Sequence, residues 1–307
     1  MKAVLIHHFG GPEVLHFEEV PKPKASDGQL LIRVCAAGVN PVDGKIRAGE
    51  FKRFHPELPA ILGRDLSGVI EEGAGVSDWQ KGDEVFGVLD YARGTYAEYA
   101  IALPGELSRK PPQLDFPHAA AIGVAGLTAW QCLFDRGGLR AGQQVLVHGG
   151  GGGVGHFAVQ LALAHGAKVI ATVSPEDVEF VRQLGIEKVI DYKAQRFEEE
   201  TDAVDLVIDL IGGKTRDRSW SVLKPGGLLV STLGEPVPPS DAPAGAHGRE
   251  VVVECRSDQL AEIGRRAATG ELRIEVTKTY PLAEARKAHE HIENQHTQGK
   301  TALRVRG

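Results

Sequence analysis

Five consecutive glycines, Gly149 to Gly153, follow the apolar run Val145-Leu146-Val147 and precede Val154 and Gly155. Apolar residues at helical spacing come next (Phe157, Val159, Leu161, Leu163). Gly166 then interrupts the pattern, and a second apolar run covers Val169 to Val173. This order reads as strand, tight turn, helix, strand, with Gly150, Gly152 and Gly155 in the G-x-G-x-x-G frame of dinucleotide-binding units. Glycine is needed there because the backbone turns sharply, a pyrophosphate comes close to it, and the helix packs tightly on the sheet. The amides at the helix N-terminus then face the anion. A five-glycine run matches the frame more than once, so the strand–turn–helix–strand context is what selects dinucleotide binding over a plain glycine-rich loop. Gly150, Gly152, Gly153, Val154 and Gly155 are the expected cofactor-binding positions.

The second strand ends in Ala171-Thr172-Val173-Ser174. An NAD-binding unit usually carries Asp or Glu at this tip to hold the ribose diol. Ser174 neither repels a 2′-phosphate nor chelates a diol, which points to NADPH. Glu176 and Asp177 follow, but acids are favoured in the first turn of any helix starting at Ser174-Pro175. No Lys or Arg appears in that turn before Arg182, so the usual basic partner is missing. Ligands bind outside the carboxyl ends of parallel strands, which places Ile211 and Leu233 along the dinucleotide.

A formal charge of −6 over 307 residues argues against nucleic acid or an anionic membrane as the main partner. No apolar run is long enough to span a bilayer, and no signal peptide precedes His7-His8, so a cytoplasmic protein is expected. Three widely separated cysteines, Cys35, Cys132 and Cys255, suit a reducing compartment and form no metal-ligand cluster. Residues 1–120 read as short strands punctuated by Gly and Pro, an antiparallel, barrel-like unit. From 121 helices and strands alternate, which implies a parallel sheet covered on both faces. Expected elements there include a strand at 204–211, a surface loop at 235–248, a strand at 249–255 and a helix around 257–269. The tail, 271–307, is expected to return to the first domain, leaving 121–270 as the dinucleotide-binding domain.

The segments AAGVNPVDGKIRAG (36–49), LPAILGRDLSGVIEEGAGVSDWQKGDEVFG (58–87), GTYAEYA (94–100), AAIGVAGLTAWQCLFDRGGLRAGQQVLVHGGGGGVGHFAVQLA (120–162), KVIDY (188–192), LKPGGLLVST (223–232) and GKTALRV (299–305) resemble, in order, the quinone oxidoreductase branch of the medium-chain dehydrogenase/reductase superfamily. The resemblance implies an α/β chain: a GroES-like, β-rich substrate domain split around a Rossmann domain with a doubly wound parallel sheet. It implies an active site in the cleft between them, NADPH-dependent reduction of quinones or other activated double bonds, and a homodimer.

Zinc-dependent members of this superfamily carry Cys, and Ser or Thr two residues on, in the segment matching 38–43, and a His-Glu pair after the glycine matching Gly63. This chain has Asn40, Val42, Arg64 and Asp65 there. An amide is weakly basic and a guanidinium has no lone pair to give, so a zinc-independent enzyme is expected, with no metal site. The twelve histidines do not change this, most of them reading as solvated surface residues. Without a metal to polarise a carbonyl, hydride goes to an acceptor that is already electrophilic. Asn40 is the leading catalytic candidate, its amide able to donate to a substrate carbonyl or the nicotinamide ribose; a turn role before Pro41 is the alternative. By resemblance, Asp43 lies near the cleft and Thr128 beside the nicotinamide, with structural roles competing for both. Ser174 and Tyr192 match positions that hold the 2′-phosphate, and Lys300 matches a basic residue close to the cofactor. The family's lysine four residues after the Ser174 position is Val178 here. Two rival readings remain: an enoyl or 2-enal reductase, which needs a proton donor not evident in the sequence, and a cofactor-binding protein with little turnover.

Overall fold

The computed structural model describes residues 1–73 and 75–306, so the 307 end of the expected tail lies outside the described residues. The chain divides into two compact units: Met1–Leu127 with Cys255–Gly270 and Ile274–Gly307, and Thr128–Glu254 with Glu271–Arg273.

The first unit begins with β1 (Lys2–Ile6), β2 (His16–Glu19), β3 (Leu30–Val39), α1 (Pro41–Arg47), β4 (Ala60–Ile61), β5 (Asp65–Gly73), β6 (Glu84–Val88), β7 (Tyr99–Ala102) and β8 (Leu107–Arg109). α2 (Phe116–Trp130) runs from this unit into the second, which holds β9 (Gln144–His148), α3 (Gly155–Ala164), β10 (Lys168–Val173), α4 (Val178–Gln183), β11 (Lys188–Asp191), α5 (Phe197–Glu200), β12 (Val204–Asp209), α6 (Gly213–Ser219), β13 (Leu223–Ser231) and β14 (His247–Glu250). α7 (Ser257–Ala268), β15 (Val276–Pro281), α8 (Ala285–Asn294) and β16 (Lys300–Arg304) complete the first unit.

Its larger sheet has the order β15-β16-β3-β5-β6-β8, with β7 also paired to β3; β2-β1-β4 form a separate antiparallel sheet. β3 is buried along nearly its whole length. Its small residues Cys35-Ala36-Ala37-Gly38 admit close neighbours: a Cβ on Gly38 would stand 2.7 Å from the Ala120 carbonyl and 2.8 Å from the Asp65 carboxylate. α1 starts directly after Asn40, where the sequence allows a turn before Pro41 as the alternative. Pro41 takes its first position, and the Asp43 carboxylate accepts the Asn40 backbone N–H at 2.8 Å.

The second unit is built on a six-stranded parallel sheet of order β11-β10-β9-β12-β13-β14, the doubly wound arrangement expected for Rossmann domains. Leu146, Ile170, Val207 and Leu229 of neighbouring strands join Phe197 and Trp220 in one core.

Three expectations need correction. β12 stops at Asp209 rather than 211, because the Asp209 carboxylate accepts the amides of Ile211 (3.1 Å) and Gly212 (2.8 Å) and bends the chain out of the ladder. The strand expected at 249–255 is β14 at His247–Glu250, with His247 opposite Leu228 and Glu250 opposite Ser231; the Val251–Val253 run lies past the last ladder pair. The helix near 257–269 belongs with the first unit: a Cβ on its Gly264 would be 2.9 Å from the Phe86 ring. Periodicity shows that a helix has an apolar face, not which body that face meets. Among the described residues, no helix is long and apolar enough to cross a membrane.

Candidate functional site

The carboxyl edge of the parallel sheet carries the glycine loop. Gly149 turns the chain at φ +78°, and the Gly149 and Gly150 amides both donate to the Thr172 carbonyl at 3.0 Å, tying the loop to β10. Three of its glycines are required by the protein itself. A Cβ on Gly150 would lie 2.8 Å from the Ala171 Cβ, one on Gly151 2.4 Å from the Asp177 carboxylate, and one on Gly155 2.0 Å from the Gly149 carbonyl. Gly152 differs: its nearest such neighbour is the Gly149 carbonyl at 3.5 Å, ordinary contact distance. Its side of the loop is open, as a pyrophosphate lying against the backbone at the start of α3 requires. Gly153 and Val154 are half-buried beside it. The residues present therefore fit a dinucleotide.

Ser174 is buried and donates to Asp177 at 3.4 Å. Tyr192 is 57% exposed, and its amide donates to the Val173 carbonyl at 3.1 Å, which brings the end of β11 to the tip of β10. The next residue, Lys193, pairs with Glu176 at 3.4 Å. A basic side chain thus stands at this tip after all. A scan of the turn after Ser174 misses it because it arrives from the neighbouring strand. Asp209 also organises the other two strand ends: Ser231 donates its hydroxyl to Asp209 at 2.8 Å and accepts the Leu233 amide at 3.1 Å. Ile211 and Leu233 are left 54% and 38% exposed, apolar surface where the dinucleotide is expected.

Behind the loop, His148 at the end of β9 is fully buried between Thr172 (2.9 Å) and Ser219 (2.9 Å). Ser219 donates its own proton to the Thr215 carbonyl, so the His148 Nε2–H donates to Ser219 and Nδ1 accepts from Thr172. Burial pushes its pKa down to about 4. The sign follows: an unfolded chain takes up this proton near pH 6.5 while the folded one resists to about pH 4. The second unit should therefore lose about 1.4 kcal/mol per pH unit from this group as pH falls through that window. Thermal melts from pH 7 to 4 check this, and a His148→Asn variant with the same acid profile as the parent would refute it.

The first unit gathers a polar cluster around the candidate Asn40. Its Nδ2 donates to Asp65 at 2.8 Å and its Oδ1 accepts from Lys300, so one amide N–H remains uncommitted. Lys300 also donates to the Val39 carbonyl at 3.1 Å and lies 3.9 Å from Asp65; burial lowers its pKa, and Asp65 and Asp43 oppose that. Asp43 is fully enclosed. It accepts from Tyr96 at 2.9 Å, its Oδ1 has no partner, and burial pushes its pKa up to about 6. It holds the Asn40 backbone N–H at 2.8 Å. Thr128 is buried on α2.

Eight of the twelve histidines are partly or fully exposed, in line with the expectation for most of them, whereas His148, His156, His289 and His291 are buried. His289 accepts from Arg47 at 2.9 Å and so donates through Nε2 to Tyr96 at 3.3 Å, extending the chain that ends on Asp43; burial, with Arg47 beside it, lowers its pKa to about 3. Its place on the apolar face of α8, between Ala285 and Ile292, is the signal that would have found it. Among the described residues, no group of three or more His, Cys, Asp or Glu is arranged to hold a metal ion.

A family model described as alcohol dehydrogenase GroES-like domain matches residues 26–112, and one described as zinc-binding dehydrogenase matches 184–303. Quinone oxidoreductase of Homo sapiens is 36% identical, covering 95% of this chain and 94% of that protein. The chloroplastic NADPH-dependent alkenal/one oxidoreductase of Arabidopsis thaliana is 34% identical, covering 99% of this chain and 79% of that protein. Among solved structures, the quinone oxidoreductase from Coxiella burnetii superposes with a TM-score of 0.90 at 35% identity, covering 100% of this chain and 99% of that one. With that fold and those relatives, the chain belongs to the quinone oxidoreductase branch of the medium-chain dehydrogenase/reductase superfamily.

Proposed function

We propose that this chain is a zinc-independent reductase that uses NADPH to reduce quinones or enones. The observation that carries the reading is the open side of Gly152 in a loop where Gly150, Gly151 and Gly155 are closed off by the protein's own atoms. Ser174 at the β10 tip, with Tyr192 and Lys193 beside it, supports NADPH over NADH. The acceptor class is supported by the names of the relatives, one a quinone oxidoreductase and one an alkenal/one oxidoreductase. When bound, NADPH supplies a hydride; the protein supplies position and a dry surface. The loop amides hold the pyrophosphate, Ile211 and Leu233 lie along the dinucleotide, and Asn40, fixed on both sides of its amide, keeps one N–H for a carbonyl. Water supplies the protons. Asn40 and Arg64, where zinc-dependent relatives have ligands, are an amide and a guanidinium engaged in hydrogen bonds, a donor set unsuited to zinc.

NADPH and NADH oxidation assayed against quinones, enals and enones tests the reading, with activity expected to survive a chelator. Binding without turnover of any acceptor would favour a cofactor-binding protein. Ser174→Asp should lower NADPH affinity by more than about tenfold, roughly 1.4 kcal/mol, by setting a carboxylate against the 2′-phosphate, while NADH affinity holds or improves. An unmoved NADPH/NADH ratio would remove the NADPH assignment and leave the family intact. We propose a homodimer, the commonest closed assembly, to be checked by sedimentation.

A further inference from the structure

Among the described residues, four cationic side chains are buried in the first unit: Arg47, Arg64, Lys110 and Lys300. Three have a carboxylate: Arg47 has Glu293 at 2.9 Å, Lys110 has Glu84 at 2.9 Å and Lys300 has Asp65 at 3.9 Å. Arg64, 5% exposed, pairs with no carboxylate among the described residues. Its Nε donates to the Leu89 carbonyl at 2.9 Å, its guanidinium carbon lies 3.8 Å from the centre of the Tyr91 ring, and its buried NH1 has no acceptor.

A guanidinium remains protonated in a protein, and an ion taken out of water without a counter-ion is costly to the fold. Stacking on Tyr91 offsets only part of that cost. What is left is a buried cationic N–H donor with no acceptor among the protein's own atoms. Its surroundings suit a flat, conjugated ligand. The Tyr91 ring stacks on Phe54 (centroids 5.7 Å apart, planes at 27°) and leans on Phe51 at 5.2 Å, all three only partly buried. The adjoining residue, Asp65, is the one that fixes the Asn40 amide.

We infer that Arg64 binds the carbonyl oxygen of the acceptor, its NH1 donating to that oxygen as negative charge gathers there. The inference rests on the proposed reading that the acceptor is a quinone or enone. A hydride adds to the electrophilic carbon and forms a C–H bond; the conjugated π pair moves onto oxygen, and water then supplies a proton. The dihydronicotinamide is oxidised and the acceptor reduced by two electrons. A fixed cation at the oxygen favours the charged transition state more than the neutral substrate. Tyr91, partly exposed, is the ring that turns aside to admit the ligand.

The test uses the full-length enzyme with Arg64→Met and Arg64→Lys, measuring NADPH affinity by fluorescence titration, melting temperature, and kcat and KM for one quinone and one enone. Arg64→Met should leave NADPH affinity within about twofold and lower kcat/KM at least about thirtyfold, roughly 2 kcal/mol, mostly in kcat. Arg64→Lys should recover part of the loss. If Arg64→Met does not fold, Arg64→Gln, with an amide still able to donate to Leu89, is held to the same limits. A folded neutral variant within about threefold of the parent's kcat/KM overturns the inference and leaves the acceptor reading standing. A parent that reduces no quinone or enone overturns both.

Discussion

Valine at position 152 is expected to lower NADPH affinity by at least about a hundredfold, roughly 2.7 kcal/mol, while leaving the fold intact. No left-handed backbone forbids a side chain at Gly152, and the nearest atom to an added Cβ is the Gly149 carbonyl at 3.5 Å. The branched side chain therefore projects into the open space proposed for the pyrophosphate rather than into the protein's own core. Gly155→Val is the contrast. Its Cβ would press to 2.0 Å on the Gly149 carbonyl, a backbone atom that cannot swing away, so that variant should lose stability as well as binding. Isothermal titration beside thermal melts separates the two effects. A Gly152→Val protein that melts early, or binds NADPH like its parent, would show that the open side of the loop is not where the cofactor lies.

Removing the Asp65 carboxylate should produce the largest loss of stability in the first unit. Asp65→Ala takes the acceptor from the Val124 amide (2.7 Å) and the Asn40 amide (2.8 Å), and the nearby carboxylate from buried Lys300. Stranding a buried charge in this way costs about 3–5 kcal/mol. Adding Lys300→Met should return part of that, because it removes the stranded ammonium along with its partner. Denaturant midpoints of the single and double variants measure the coupling. A single variant within about 1 kcal/mol of the parent, or a double variant less stable than the sum of the two single losses, would contradict the account.

What could be read from the chain beforehand follows from what local patterns encode. The glycine loop, the alternation of helix and strand from β9 to β13 and the short strands of the first unit all leave a mark within some ten residues, through periodicity and turn chemistry. Partnerships between distant polar groups leave none. Nothing near Asp65 in the sequence announces Lys300, and Lys193 reaches the β10 tip only because β11 pairs with β10. The Asn40-Pro41 pair is compatible with a turn or a helix start, and the choice of helix becomes visible only once Asp43 is seen accepting the Asn40 N–H. His289 is a readable exception: its spacing relative to Ala285 and Ile292 places it on the apolar side of α8. Arg64 was legible as a departure from the zinc-binding pattern, whereas its lack of a counter-ion is a property of the folded protein alone.

The position of β16 between β15 and β3 has a consequence for synthesis. Val39 and Lys300, joined by a hydrogen bond, are separated by 261 residues in the chain. At ribosomal rates of about 5–20 residues per second, β3 waits on the order of 10–50 s for the neighbour that completes its sheet. Throughout that interval Asn40 and Asp65 lack their ammonium partner, and one flank of a strongly apolar strand stays open to other chains. All the strands of the second unit's parallel sheet lie between Gln144 and Glu250, so each is synthesised before β16 exists. A nascent chain stalled before residue 300 should therefore bind NADPH yet remain attached to chaperones, a combination that a pull-down of arrested ribosomes can detect.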